Sequence, residues 1–403
     1  MRLANHFILL FLFLLCFIPN NAQSPFYYVN ATIYGEKEGY SVINRVNNIT
    51  EDNNGLIWIG SENGLQSFNG THFKNYRHSS KDPKGLPGNF VQFIYQDRKD
   101  MYWTYIRDKG LYNYDPQNEK FTKYRYRNEK DFNLHQSYHF QVGLPFEDKK
   151  GRLWVPLPGY GLAEINRDSN IVTPYKICLP GNCGSFYDAS YVTRIFEDNN
   201  GGFWLATNGG LVYFNTETGA NELIIEPELQ KRAIRNERRS VFTFFGPQIK
   251  NDIWIGTWGS GIKRLNTITR RFDTYLWHPK TWDGTKDICT GIWWKDSTHL
   301  WVSTLDKELF VFDLETHEFR AARMLDDDTF PFVANETIQS RDGSLWITRS
   351  DKLVKINKQQ FFSSYSFKNA QAIIPENLDA NCFLNMNNSL FIGAGSDTRI
   401  YEY

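Results

Sequence analysis

Hydrophobic residues in this chain fall in short stretches that are separated by sequences typical of turns. Between residues 56 and 61, Trp58 lies on one alternating side, while Ile57 and Ile59 lie on the other. A strand that is apolar on both sides is buried on both faces of its sheet. The flanking segments 52–55 and 62–64 combine side chains that accept backbone N–H groups with a glycine, which adopts positive φ. The pattern predicts short, doubly buried strands joined by tight turns.

One phrase recurs along the chain. It reads Glu-Asp-Asn-Asn-Gly-Leu-Ile-Trp-Ile-Gly-Ser at 51–61 and returns as Glu-Asp-Asn-Asn-Gly-Gly-Phe-Trp-Leu-Ala-Thr at 197–207. Successive anchors lie 45 to 51 residues apart; they are Trp58, Trp103, Trp154, Trp204, Trp254, Trp301, Trp346 and Phe391. This period is typical of propeller blades.

Each unit divides into four strands, which we name A to D in chain order, so the sequence predicts an all-β fold, a single β-propeller of seven to eight four-stranded blades. Eight units can be counted, and the eighth lacks its last strand. The N-terminal segment Phe26–Tyr34 could supply that strand, and strand counting therefore favours eight blades. The alternative is a closed seven-bladed ring, with the eighth unit incomplete.

The chain begins like an exported protein. The apolar run Phe7–Ile18 is too short to span a bilayer, so we interpret residues 1–22 as a signal peptide and 23–403 as the propeller. We expect a periplasmic or secreted protein with no membrane span in the mature chain. In that compartment Cys178 and Cys183, which flank a turn sequence, could form a disulfide, while Cys289 and Cys382 should be buried thiols.

Composition and charge narrow the function. Aromatic residues make up 16% of the chain, which suits strands, and the 45 basic residues balance the 45 acidic ones. A nucleic-acid-binding protein would show a basic excess, so we expect no nucleic-acid partner. No spacing of cysteine and histidine resembles a metal site, and no cofactor is expected.

The repeated phrase resembles the two-component regulator propeller repeat. The resemblance rests on Asp-x-x-Gly-x-Leu-Trp-Ile-Gly-Thr followed by Gly-Leu, and on the opening segment Tyr34–Ser41. It implies a periplasmic sensor domain of a membrane-bound histidine kinase or related regulator, many of which respond to glycans. A second propeller, a membrane helix and a kinase segment are not found in this sequence. We therefore expect a stand-alone relative or a truncated sensor, with a protein partner supplying the signalling output.

Tryptophans outside the anchor position indicate a ligand site. In a propeller the B–C turns and D–A connections emerge on one face, which we call the B–C face, and the other turns emerge on the opposite A–B face. Trp258 falls in a B–C turn, and Trp277 and Trp282 fall in the following D–A connection. Aromatic surfaces suit the apolar faces of sugar rings, so we predict an oligosaccharide ligand there. Other B–C turns of this face contribute Arg107, Asp108, Tyr160, Asn208, Asp306 and Arg349. The alternative is that the long connection buries its own tryptophans as a plug.

Catalysis is the less favoured function. The Glu-Asp pairs at 51–52, 147–148 and 197–198 recur at A–B turns, so they are spread around the ring and a turn-capping role explains them better than glycoside cleavage. The histidines share no motif position. We predict a binding protein rather than an enzyme, with a structural or protein-docking propeller as the alternative.

Overall fold

The computed structural model describes residues 26–42, 45–128, 143–157, 160–177, 191–207, 209–224, 242–279, 287–305, 308–324, 336–349, 351–358, 380–386, 389–394 and 400–402. Within these ranges the protein consists of β-strands, with a single 3₁₀ turn at Glu36–Glu38. None of the helical structure in these ranges is long and apolar enough to cross a membrane.

The first four blades are antiparallel sheets whose strands follow one another in chain order. Blade 1 contains β3 (Val46–Glu51), β4 (Ile57–Ser61), β5 (Gly64–Phe68) and β6 (Phe73–Tyr76). Blade 2 contains β7 (Val91–Gln96), β8 (Tyr102–Ile106), β9 (Gly110–Asp115) and β10 (Lys120–Lys123). Blade 3 contains β11 (Phe146–Glu147), β12 (Leu153–Leu157), β13 (Gly161–Asn166) and β14 (Ile171–Lys176). Blade 4 contains β15 (Val192–Glu197), β16 (Phe203–Thr207), β17 (Gly210–Phe214) and β18 (Asn221–Ile224).

The remaining three blades complete the ring. Blade 5 contains β19 (Phe242–Ile249), β20 (Asp252–Thr257), β21 (Ile262–Asn266) and β22 (Phe272–Tyr275). Blade 6 contains β23 (Cys289–Trp294), β24 (His299–Thr304), β25 (Leu309–Asp313) and β26 (Phe319–Met324). Blade 7 contains β27 (Glu336–Gln339), β28 (Leu345–Thr348) and β29 (Leu353–Ile356).

The N-terminal segment closes the ring at blade 7. Strand β2 (Ala31–Tyr34) pairs antiparallel with β29 and takes the place of strand D. Strand β1 (Phe26–Val29) pairs parallel with β26, so it adds a fifth strand to blade 6. The all-β propeller prediction is confirmed, and the ring has seven blades. The preference for eight blades was wrong, because Phe26–Tyr34 pairs with blades 6 and 7 and not with the eighth unit.

The eighth unit forms a separate sheet. It contains β30 (Ala380–Met386), β31 (Ser389–Ala394) and β32 (Ile400–Glu402), paired antiparallel in that order. Among the described residues, no strand of the seven blades pairs with this sheet. The segment Phe361–Phe367, which the sequence suggested as the last strand of the seventh unit, lies outside the described residues.

The anchor tryptophans form the core between blades. Trp58, Trp103, Trp154, Trp204, Trp254, Trp301 and Trp346 are all buried. Trp58 packs edge-on against Tyr102 of blade 2, with ring centroids 5.8 Å apart, and Trp154 packs against Phe203 of blade 4 at 5.1 Å. Each indole thus fills the space between its own sheet and the next, which explains why the repeat requires it.

The turn before strand B fixes the indole through a buried aspartate. Asp52 accepts hydrogen bonds at Oδ1 from the backbone N–H groups of Asn54 and Leu56, at 2.9 and 3.0 Å. Its other oxygen, Oδ2, accepts the Trp58 Nε1–H at 2.8 Å. Asp97 and Asp148 bind their turns and Trp103 and Trp154 in the same way. A carboxylate this deeply buried is tolerated because donors surround it.

The residue before that aspartate joins neighbouring blades. Glu147 accepts the backbone N–H of Arg98 from blade 2 at 2.7 Å, and Glu197 accepts that of Lys149 from blade 3 at 2.8 Å. Glu51 accepts the N–H of Arg341 from blade 7 at 2.8 Å, across the point of ring closure. Gln96 of blade 2 accepts the backbone N–H of Asn53 from blade 1 in the same way, at 2.6 Å. The Glu-Asp pairs therefore combine a turn cap with a clasp between blades.

We predict that Trp58→Phe destabilises the protein more than Trp204→Phe, by about 1–3 kcal/mol. Trp58 Nε1 donates to the buried Asp52, whereas Trp204 Nε1 has no hydrogen-bond partner among the described residues. Urea unfolding measures the difference. Alanine at either position should cost about 3–5 kcal/mol, because both indoles are buried. Equal losses for the two phenylalanine variants would contradict the role given to Asp52.

We also predict that Cys289 resists alkylation in the folded protein. Its side chain is buried, and burial raises the pKa of the thiol to about 12. At pH 8 it is therefore almost entirely protonated, and the thiolate is the reactive species. Iodoacetamide labelling, read by mass spectrometry of the peptide that contains Cys289, should be slow before and fast after addition of denaturant. Rapid labelling of the folded protein would show that blade 6 opens.

Candidate functional site

The B–C face presents one residue per blade directly after strand B. In five blades this residue is described, and the chemistry changes around the ring: Glu62, Arg107, Trp258, Leu305 and Arg349. Glu62, Arg107 and Arg349, in blades 1, 2 and 7, are half-buried. Trp258 is 43% exposed and Leu305 is 46% exposed, and they belong to the adjacent blades 5 and 6. The face is therefore charged on one side and apolar on the other.

The D–A connection between blades 5 and 6 is hydrogen-bonded to the turns of both apolar residues, Trp258 and Leu305. The B–C turn that carries Trp258 ends at Gly261, whose N–H donates to the carbonyl of Asp287 at 2.8 Å. The N–H of Leu305 donates to the carbonyl of the next residue, Ile288, at 3.0 Å. Both turns thus adjoin the D–A connection between blades 5 and 6. We call Trp258, Leu305, His278 and Asp287 the blade 5–6 sector.

Trp277 lies beneath this sector. Its ring packs against Phe310 and Phe319 of blade 6, with centroids 5.7 and 5.6 Å apart. It is half-buried, and its Nε1 has no hydrogen-bond partner among the described residues. This packing corresponds to the plug alternative for Trp277, whereas the exposed Trp258 corresponds to the ligand alternative.

The other predicted residues are spread around the face. The guanidinium of Arg107 in blade 2 covers the ring of Phe90, 3.3 Å from its centroid. Arg349 in blade 7 pairs with Asp351, and its carbonyl accepts the hydroxyl of Tyr40 at 2.6 Å. Tyr160 packs against the core between blades 2 and 3. Trp282, Asn208, Asp306, Cys178 and Cys183 lie outside the described residues.

The pairing of His278 with a buried aspartate was not predicted from the sequence. His278 Nδ1 lies 2.8 Å from Asp287 Oδ1, and the backbone N–H of His278 donates to Asp287 Oδ2 at 3.1 Å. The Asp287 side chain is 0% exposed, and that of His278 is 43% exposed. The signal in the sequence was the position of His278 next to Trp277, but its partner lies nine residues further on.

The central channel carries a second polar constellation. Strand A is the innermost strand of each blade, and in four blades it has a bulge at its second residue, at Asn47, Gln92, Thr193 and Thr290. All four residues are polar and lie near the B–C end of their strand. Gln92 is 3% exposed, and its Oε1 has no hydrogen-bond partner among the described residues.

An ion pair crosses the channel. Arg194 Nη2 of blade 4 lies 3.4 Å from Glu336 Oε2 of blade 7, and both side chains are mostly buried. Blades 4 and 7 lie on opposite sides of a seven-membered ring, so this contact spans the axis. The sequence gave no sign of it, because the two residues are 142 positions apart.

No arrangement in the described ranges resembles a metal site, since no three histidine, cysteine or acidic side chains are grouped closely enough. The Glu-Asp pairs are committed to turns and clasps between blades. On the B–C face, Trp258 and Leu305 are the most exposed large apolar side chains among the described residues.

The protein is a seven-bladed propeller in which the blades share one sequence repeat, while the turns of the B–C face differ in chemistry. The sequence model of the two component regulator propeller family matches residues 42–63 and 187–209, in blades 1 and 4. The resemblance inferred from the repeated phrase is thereby confirmed. No curated protein sequence matches the chain.

Solved structures share the fold at low sequence identity. One extracellular domain assigned to a hybrid two component system of B. thetaiotaomicron has a TM-score of 0.64 at 20% identity, covering 93% of this chain and 48% of its own. A second has 0.62 at 18%, covering 91% and 46%. This chain thus spans about half the length of these domains. A virginiamycin B lyase from Staphylococcus aureus, solved with quinupristin, has 0.58 at 13%, covering 81% and 99%.

We predict that the ion pair across the channel stabilises the ring. Arg194→Met and Glu336→Gln should each lower the free energy of unfolding by about 1–3 kcal/mol, because each removes one charge of a mostly buried ion pair. The double variant should lose less than the sum of the two. Arg264→Met, which breaks a more exposed pair with Asp273 within blade 5, is the control and should cost less than about 1 kcal/mol. Additive losses in urea unfolding would show that Arg194 and Glu336 are not coupled.

Proposed function

We propose that this chain is an extracytoplasmic ligand-binding propeller of a two-component type sensor, and that its ligand is a saccharide held at the blade 5–6 sector. The observation that carries the proposal is the exposure of Trp258 and Leu305, which follow strand B in the adjacent blades 5 and 6. The equivalent residues of blades 1, 2 and 7 are charged, so the apolar pair is not demanded by the blade repeat.

The chemistry of the sector suits a sugar. An indole offers a large, rigid apolar surface, and a sugar ring offers a face of C–H groups bordered by hydroxyls. The D–A connection that bonds to the Trp258 turn also carries the polar ring of His278, and ligand sites combine apolar walls with a few placed polar groups. The similarity to extracellular domains of two-component systems supports export and a signalling role. A kinase or regulator module, on this or a partner chain, would then read the bound state.

Docking of a protein is the second candidate function. Adjacent exposed apolar residues in a polar surface also mark protein interfaces, where aromatic residues contribute most of the binding energy. A saccharide and a protein partner can be tested with the same set of variants, which shows which of the two requires Trp258 for binding.

We predict that Trp258→Ala weakens saccharide binding at least about tenfold, because it removes the main apolar contact. The melting temperature should stay within about 1 °C of the parent protein, since exposed side chains contribute little to stability. Thermal shift should first screen xylo- and arabino-oligosaccharides and oligogalacturonides, and isothermal titration calorimetry should then measure affinity for the best of them.

The matched control is Ile268→Ala. Ile268 is 71% exposed and belongs to the C–D turn of the same blade, on the opposite face. The Ile268→Ala variant should leave the affinity for the saccharide unchanged. Retention of affinity by Trp258→Ala, or a failure of every saccharide to bind, would reject the saccharide proposal. A protein partner that binds only when Trp258 is present would establish the docking function instead.

A further inference from the structure

The A–B face has a cleft between blades 6 and 7, which we call the blade 6–7 cleft. Its volume is about 470 Å³, within the range of roughly 300–1,000 Å³ that is typical of small-molecule sites. The A–B turns of the two blades and the C–D turn of blade 7 form its walls. Among the lining residues Lys295, Arg341 and Lys358 are basic, whereas Asp296 is acidic.

The corresponding interface between blades 2 and 3 is filled by an arginine. Arg167, in the C–D turn of blade 3, donates from Nη1 to Asp97 Oδ2 at 2.6 Å and from Nη2 to Glu147 Oε1 at 2.8 Å. It also donates to the carbonyl of Gly151 in the A–B turn. The arginine side chain is 9% exposed, so one mostly buried cation is matched there by two carboxylates.

Lys358 takes the place of Arg167 in blade 7. Ile165 and Ile356 occupy equivalent positions in the pairing of strand C with strand B, and each basic residue follows two positions later. A side chain added at Gly343 would collide with Cδ of Lys358, so the stem of the lysine crosses the turn glycine. The arginine of blade 3 crosses its own turn glycine in the same way.

Both carboxylates of the blade 2–3 interface are replaced in the cleft. Lys295 stands at the position of Asp97, six residues before the anchor tryptophan, and Gln339 stands at the position of Glu147, seven residues before it. Nε2 of Gln339 donates to the carbonyl of Gly343 at 3.3 Å, which is the bond that the arginine makes in blade 3. Where blades 2 and 3 hold one cation between two carboxylates, blades 6 and 7 hold two lysines and an amide.

The basic side chains of the cleft are only partly neutralised. Lys295 Nζ lies 2.5 Å from Asp296 Oδ2, and Arg341 Nε lies 3.6 Å from Oε2 of Glu51, which does not line the cleft. Lys358 is exposed, and none of the ion pairs among the described residues includes it. An anion in the cleft would therefore meet a lysine that no carboxylate neutralises, with a second lysine and an arginine around it.

We propose that the blade 6–7 cleft binds a small molecule through an oxyanion group, which is a carboxylate, a sulfate or a phosphate. The group supplies to Lys358 the negative charge that Asp97 and Glu147 supply to Arg167, and charge-assisted hydrogen bonds hold it. The cleft opens on the face opposite the blade 5–6 sector. This inference is therefore independent of the saccharide proposal.

Calorimetric titration with sodium phosphate, sodium sulfate and sodium citrate tests the cleft, at an ionic strength kept constant with sodium chloride. Saturable binding of at least one of the three anions is expected. Binding of phosphate or sulfate without citrate would identify a tetrahedral oxyanion as the recognised group, and binding of citrate alone would identify a carboxylate.

Lys358→Met should weaken binding of that anion at least about fivefold, because it removes a charge-assisted donor. The side chain is exposed, so the melting temperature without anion should stay within about 1 °C of the parent protein. Lys358→Arg keeps the charge and introduces the side chain found in blade 3, so it should retain the affinity. The matched control is Lys123→Met, which removes the same charge from an exposed position in blade 2 and should leave the affinity unchanged.

Two results would overturn the proposal. One is failure of all three anions to bind. The other is an equal loss for Lys358→Met and Lys123→Met, because binding would then follow the net charge of the protein and not the cleft. Trp258→Ala should bind the anion as the parent protein does, so a failure of the saccharide proposal would leave the anion site standing. Loss of anion binding in Trp258→Ala would place the anion on the B–C face and reject the cleft.

Discussion

The contact on which this structure depends is the indole of one blade packed against the next blade. A four-stranded sheet with two apolar faces is not stable by itself in water, so each blade must cover its neighbour. Trp58 and Trp154 do this edge-on against the aromatic residues Tyr102 and Phe203. The turn aspartate then holds the indole in one orientation through Nε1, and the preceding glutamate or glutamine joins the turn to the adjacent sheet. Packing, turn and clasp are encoded in one phrase, which is why the phrase recurs.

The repeat is weakest where the candidate site lies. Asp52, Asp97 and Asp148 each bind their tryptophan, and Ser340 binds Trp346 in the same way. Blades 5 and 6 have Gln248 and Lys295 at this turn position. Nε1 of Trp254, like that of Trp204 in blade 4, has no hydrogen-bond partner among the described residues. Within the described ranges the glutamate and glutamine clasps run from blade 6 through blade 4, since Gln339 Nε2 of blade 7 donates to the carbonyl of Trp294 in blade 6 at 2.6 Å. The exposed Trp258 and Leu305 and the buried Asp287 all belong to blades 5 and 6. The two blades with neither aspartate nor serine at this turn position are those whose B–C turns carry exposed apolar residues.

The sequence predicted the local architecture and the faces, because these depend on residues close together in the chain. Anchor spacing located every strand B, and alternation of strands placed Trp258 on the B–C face. The number of blades could not be predicted in this way. Strand β2 pairs with the edge strand β29 through backbone hydrogen bonds, and its side chains do not specify that partner. Arg194 and Glu336 could not be paired because only the curvature of the complete ring brings blades 4 and 7 together. His278 was visible beside Trp277, but its carboxylate partner depends on the course of a loop.

Ring closure and ligand recognition use different parts of the molecule, and this separation has a consequence for how the site can vary. The energy of the ring lies in buried indoles, clasps on the A–B face and the N-terminal strand, whereas the blade 5–6 sector lies in turns of the opposite face. Side chains there can change without disturbing a blade, provided that the backbone hydrogen bonds from Gly261 N–H to Asp287 and from Leu305 N–H to Ile288 are kept. The fold therefore constrains the backbone of these turns and leaves their exposed side chains, such as Trp258 and Leu305, open to selection by a ligand.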